Sequence, residues 1–203
     1  MEGLNTALAL PADWQGRAQA FAVLLPPTVR APQAQRAAMR QAVHQSMVRH
    51  FALALPCDAP QLAVRSTPGQ APVLLKEGQA LPALSLSIAY AQNHALWAWS
   101  AQGAVGVDVQ AIPTEGDDAE WRQLATQYLE PGAASALAAL QGDALRAAFA
   151  AQWVQLEAQL KCAGMALDET VHRAVHWNAG MQCLPLPLPA SWGAAAALAW
   201  RAG

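Results

Sequence analysis

Residues 104–110 read AVGVDVQ, and residues 151–164 read AQWVQLEAQLKCAG. The first has the length and apolar run of a strand, interrupted by one glycine and one carboxylate, Gly106 and Asp108. A carboxylate buried unpaired among valines is costly. Asp108 is therefore either an acid facing solvent on an edge strand or a group with a partner, such as a metal ion at a strand end. Gly106 has no side chain and lets another backbone, or a ligand, come close. The second stretch is helical. Trp153, Leu156, Leu160, Ala163 and Gly164 share one face, Gln155 and Gln159 lie opposite, and Glu157 and Lys161 sit on the border. An exposed Glu–Lys pair one turn apart adds only ~0.2–0.5 kcal/mol to a helix. Taken with Asp108, Glu157 completes a different arrangement. Two carboxylates from a strand and a helix can hold Mg²⁺, and a neighbouring lysine suits a phosphate oxygen.

Working outward, residues 18–25 read as a first strand and 33–54 as a helix. In that helix Met39, Val43, Met47 and Phe51 recur every turn, while Arg36, Arg40 and Arg49 lie off the stripe, and Pro56 stops it. The segment 66–72 is a loop. Residues 84–90 and 94–100 read as paired strands about the turn 91–93, and 104–110 as a third strand after a Gln-Gly turn. Trp97 and Trp99 are expected on alternate faces of the 94–100 strand, one of them exposed or lining a cleft. Helical patterning covers 119–129 and 134–164, with Pro131, Gly132 and Gly142 as punctuation and Gly164 at the helix C′ position. Residues 169–178 read as a strand, 184–191 as an extended proline-rich connector, and 194–200 as a last strand. An echo, Leu-Pro-Ala at 81–83 before Ala-Leu-Trp-Ala-Trp at 95–99 and Leu-Pro-Ala at 188–190 before Ala-Leu-Ala-Trp at 197–200, suggests two similar halves joined near 100–104.

Composition narrows the class. The chain has 203 residues, 54% of them apolar and 13% charged, with a net charge of −2. A sizeable core is expected, and disorder is not. There is no basic patch in the sequence, so nucleic acid is not an expected partner. Three cysteines, Cys57, Cys162 and Cys183, at unpatterned spacing fit a reduced cytoplasmic protein better than a disulfide framework or a zinc site. No basic leader segment is visible, and no apolar run reaches the about 18 residues of a membrane span.

The pairing of AVGVDVQ with a later Trp153-x-x-x-Glu157-x-x-x-Lys161 helix resembles the Sfp-type 4′-phosphopantetheinyl transferases. In that family a GVD or GID strand precedes a W-x-x-K-E-x-x-x-K helix. The likeness extends to a Gly-x-Pro-like turn (Gly69 to Pro72), an LS strand and a second strand ahead of the GVD. It implies an α+β fold built as a pseudo-dimer of two similar subdomains, here 1–102 and 103–203, with coenzyme A bound between them. It implies that Asp108 and Glu157, with Gln110, ligate Mg²⁺, and that Glu157 helps remove a proton from a carrier-protein serine. Lys161 would steady the diphosphate, and Arg40 and Ser87 would contact the nucleotide part of coenzyme A. The implied partner is an acyl, peptidyl or aryl carrier protein, and a monomer is expected. Four positions depart from the family pattern. Gln110 stands where a second acid is usual, Leu156 where a lysine precedes the glutamate, and Ile88 where a histidine reaches a phosphate. Gln70 stands where a lysine is expected in the turn. Each lost charge-assisted contact costs ~1.5–3 kcal/mol if nothing replaces it. The departures keep open a non-catalytic homologue that binds a carrier protein or another partner.

Overall fold

The computed structural model describes residues 4–25, 32–55, 57–168 and 177–203. The protein is a mixed α+β structure with three small antiparallel sheets. The first sheet contains β1 (Leu4–Ala7), β2 (Gln19–Leu24), β6 (Ser85–Ala91) and β7 (His94–Ser100), in the order β1-β2-β7-β6. Across it lies α1 (Pro32–Ala54), whose stripe of Met39, Val43, Met47 and Phe51 is buried as its spacing requires. That stripe meets Phe21, Val23, Leu86, Ala95 and Trp97, the residues on one face of the sheet. Trp97 Nε1 donates to Ser46 Oγ at 2.9 Å, so the indole is buried without an unpaired N–H. Trp97 and Trp99 both pack on this α1 side. Side chains two apart on a strand share a face, so the expectation of alternate faces was mistaken.

A small second sheet of β3 (Leu62–Arg65), β4 (Val73–Lys76) and β5 (Gln79–Ala80) closes the end of α1 through Leu62 and Leu74. Its β4–β5 hairpin turns on Glu77 and Gly78, both with positive φ, the geometry that matches strand twist in a two-residue turn.

The third sheet contains β8 (Gly103–Ala111), β9 (Met181–Pro185) and β10 (Ala194–Ala202), in the order β8-β10-β9. The helical stretch expected over 134–164 is two helices, α3 (Pro131–Ala138) and α4 (Gly142–Ala163), preceded by α2 (Asp118–Tyr128). Asp117 caps α2 by accepting from the Ala119 N–H at 3.0 Å. Gly164 ends α4 in the left-handed region at φ 68°, where the sequence placed it. The segment read as a proline-rich connector begins within β9; as an edge strand, β9 tolerates Pro185. Most of the strand expected over 169–178 lies outside the described residues, and Trp177 and Asn178 form a turn. Cys57, Cys162 and Cys183 are free, and burial pushes the Cys162 and Cys183 thiols up to about 11 and about 12. Among the described residues, no helix is long and apolar enough to cross a membrane.

The inner faces of the first and third sheets meet in one core. Ala20, Ala22, Leu96 and Ala98 from one pack against Val105, Val107, Leu198 and Trp200 from the other. Chain membership changes sheets at the 101–102 turn, between β7 and β8. The sheets also meet along their edges. The Val105 N–H donates to Ser85 Oγ, and the Val107 N–H to Ser87 Oγ, each at 3.0 Å. Both bonds carry the same offset, so β6 and β8 run parallel here, and two serine hydroxyls satisfy edge N–H groups that no strand pairs.

On its outer side β8 touches α4 at Gly106. A Cβ at this position would fall 2.0 Å from the Ala158 carbonyl oxygen and 2.5 Å from the Cys162 amide nitrogen. Helix backbone therefore lies directly on strand backbone, and only glycine fits. Gly106→Ala forces α4 outward. It is expected to lower unfolding free energy in urea by at least about 1–3 kcal/mol; an unchanged midpoint would show that the contact is looser than described.

Candidate active site

Asp108 lies two residues after Gly106, on the same face of β8, and so points along the flank of α4. The residue is only 8% exposed. Its partner is Lys161, whose Nζ donates to Asp108 Oδ1 at 2.7 Å and to the Val107 carbonyl oxygen at 3.3 Å. The contact that seats α4 on Gly106 uses Ala158 and Cys162, each one residue beyond Glu157 and Lys161. The strand–helix approach thereby carries both ionisable side chains to the level of the carboxylate. The solvent-facing reading of Asp108 does not hold. Nor does α4 have one apolar face with Glu157 and Lys161 at its border. Val154, Ala158 and Cys162 are buried against the sheet, Leu156 and Leu160 against α2 and α3, and the pair emerges between these two buried faces. Lys161 is ion-paired to Asp108 rather than to Glu157.

The charges explain one another. Burial pushes the Asp108 carboxyl above its ordinary value, while the Lys161 ammonium and the Val109 N–H pull it down. Burial and the nearby Asp108 charge push the Glu157 carboxyl up, and Lys161 offsets part of this. The two carboxylates are thus electrostatically coupled, and one ammonium acts on both.

This donor set fits a hard divalent cation. Its ligand atoms are oxygens, from Asp108, Glu157 and the half-buried Gln110 amide on the same face of β8, and an ammonium already stands in as the cation at Asp108. Among the described residues no three His, Cys, Asp or Glu side chains gather into a metal site. Waters and substrate phosphates would have to complete the shell, as is usual for Mg²⁺.

A cleft of about 940 Å³ opens between α1, the 66–72 loop and the end of β6. Arg36, Arg40, His44, Ser66, Gln70 and Tyr90 line it, and among the described residues its lining contains no Asp or Glu. His44 Nε2 and Ser66 Oγ are hydrogen-bonded at 3.0 Å. Burial and the adjacent Arg40 charge hold the His44 imidazole below its ordinary value. Burial raises the Tyr90 phenol, and Arg40 offsets part of that rise. The Arg40 charge therefore acts on both rings, in a setting suited to anions. Arg36 and Tyr90 were not singled out for this role from the sequence. The available signal was Arg36, Arg40 and His44 at successive turns of one helix face.

The cleft and the carboxylates flank one joint. Ile88, in the cleft wall, follows Ser87, and Asp108 follows Val107; the Ser87–Val107 hydrogen bond stands between them. Ser87 itself is 5% exposed and uses its hydroxyl in that bond, so it positions the strands rather than facing the cleft. Leu156 fills the α2–α3–α4 core and leaves the cleft open, whereas Ile88 occupies part of the wall. The chain matches no known protein-family model and no curated protein.

A carboxyl whose folded-state pKa lies above its unfolded value of ~4.3 costs the fold stability when ionised. That cost is complete above the raised pKa and vanishes as pH falls to the unfolded value. Glu157→Gln should therefore raise the melting temperature at neutral pH and leave it unchanged near about pH 4. Scanning calorimetry across this range checks the sign, and a lower melting temperature at neutral pH would contradict the coupling to Asp108.

Proposed function

We propose that the protein is a 4′-phosphopantetheinyl transferase that moves phosphopantetheine from coenzyme A to a serine of an acyl, peptidyl or aryl carrier protein. One adjacency supports this reading. A cleft that carries Arg36, Arg40 and His44 has Ile88 in its wall, next to Ser87, whose hydroxyl accepts from the Val107 N–H beside Asp108 in the strand–helix site of Lys161 and Glu157. An anionic nucleotide suits the first and phosphoryl chemistry the second. In this reading the sheet–helix units on either side of the 101–102 turn are the two subdomains of a pseudo-dimer. The Ser85 and Ser87 bonds form the seam between them.

Arg36, Arg40 and His44 would hold the phosphate on the ribose of coenzyme A. They would take over the work that Gln70 and Ile88 are too weakly polar or too apolar to do. Mg²⁺ held by Asp108, Glu157 and Gln110 would neutralise charge on the diphosphate oxygens. Glu157, whose raised proton affinity suits a base, accepts the proton of the carrier serine. The serine oxygen forms a bond to the phosphorus that bears pantetheine, the bond from that phosphorus to the bridging oxygen breaks, and 3′,5′-ADP leaves with the electron pair. Lys161 holds a phosphate oxygen as charge develops on the leaving group.

A second reading, a non-catalytic module that binds a carrier protein or another partner, draws on Ile88 in the cleft wall and on the closed Asp108–Lys161 pair. Intact-mass measurement of apo carrier proteins incubated with the protein, coenzyme A and Mg²⁺ separates the two. Transfer adds the mass of one phosphopantetheine. Glu157→Ala should lower that rate about a hundredfold or more, whereas Gln110→Glu should preserve or raise it. No mass gain on any carrier, together with no thermal shift from coenzyme A, would favour the binding module.

A further inference from the structure

We propose that Lys161 is the resident cation of the carboxylate pair, so that a divalent ion enters only by displacing its ammonium from Asp108. In the structure Nζ has two oxygen neighbours, Asp108 Oδ1 at 2.7 Å and the Val107 carbonyl oxygen at 3.3 Å. These are the kind of ligand atoms a hard cation takes. The ammonium and a divalent ion therefore compete for the same carboxylate, and both relieve the same repulsion between Asp108 and Glu157.

The geometry also permits release. The Asp108 side chain is 12% exposed, but the Lys161 side chain is 33% exposed and ends a flexible stem, so the lysine can swing to solvent while the carboxylate cannot. Lys161 lies in the last turn of α4, just before the left-handed Gly164, at the margin of the packed helix. A swing there disturbs neither Ala158 and Cys162 on Gly106 nor Leu156 and Leu160 in the helical core. The exchange has a consequence for order of binding. Without a phosphate to receive Lys161, the ion must displace an ammonium that gains no new partner, so metal binding alone is weak. That a phosphate receives the freed lysine rests on the transferase reading; the competition at Asp108 does not.

The test uses the full chain without coenzyme A or carrier protein, so it stands or falls apart from transfer. Mn²⁺ binding is measured by electron paramagnetic resonance on the wild type, Lys161→Met, Lys161→Arg and Lys161→Met/Asp108→Asn. Lys161→Met is expected to bind Mn²⁺ at least about tenfold tighter than the wild type, because the competing charge is gone. Lys161→Arg should keep the weak wild-type affinity, and the double variant should lose the gain. Equal or weaker binding by folded Lys161→Met overturns the proposal. A second measurement needs no variant. The chain has only one other lysine, Lys76, which serves as an internal control. Acetylation of Lys161 in the wild type, followed by peptide mass, should be slow without metal and several-fold faster at saturating Mg²⁺, with Lys76 unchanged. A Lys161 rate that Mg²⁺ leaves unchanged or lowers also overturns it.

Discussion

The site depends on the absence of a side chain at Gly106. Because β8 carries no Cβ there, the backbone of α4 settles onto the strand at Ala158 and Cys162. That approach sets the height of the helix over the sheet and so places Lys161 within 2.7 Å of Asp108. A looser helix would leave a buried carboxylate without its cation, which is far costlier than either a paired carboxylate or an apolar residue. Packing and chemistry are thus coupled through one atom that is missing. The resulting ion pair is weak evidence for stability, since its desolvation offsets much of its attraction. Its value lies in the position it imposes on two carboxylates that would otherwise repel.

The second constraint is the seam between the sheets. β8 is an edge strand, and its outward N–H groups at Val105 and Val107 need acceptors in a dry interior. Serines on β6 supply them, and the parallel run that this produces sets Ser85 beside Val105 and Ser87 beside Val107. The cleft under α1 and the carboxylates beside α4 belong to different sheets, yet they lie one residue either side of the same hydrogen bond. A ligand long enough to reach from a cationic cleft to a pair of acids needs such a fixed spacing.

Elements with a long periodic signal were legible in the sequence. The four-residue stripe of α1, the apolar strands β6 to β8 and the glycine stop of α4 stand where their patterns put them. Elements of two to five residues were not. β1, β3, β4 and β5 are too short to display an alternation, and β9 was hidden by prolines that only an edge strand accepts. The same divide runs through the site. Gly106 announced a close approach but not which backbone would come, and Asp108 announced a need for a partner. That the partner is Lys161 is a tertiary fact; local spacing pointed instead to Glu157, one turn away. The serine hydroxyls of β6 gave no local sign that their donors lie on another strand, so Ser87 read as a ligand contact when it is a joint.

In the proposed transferase, Asp108 and Glu157 must converge on a single cation beside the cleft that carries Arg36 and Arg40. Crystals of the protein grown with coenzyme A and Mn²⁺ test it directly through the anomalous scattering of the metal. The account predicts one strong peak between the two carboxylates, with the diphosphate alongside and the nucleotide running toward Arg40. A peak elsewhere, or coenzyme A bound away from the joint between Ser87 and Val107, would contradict it.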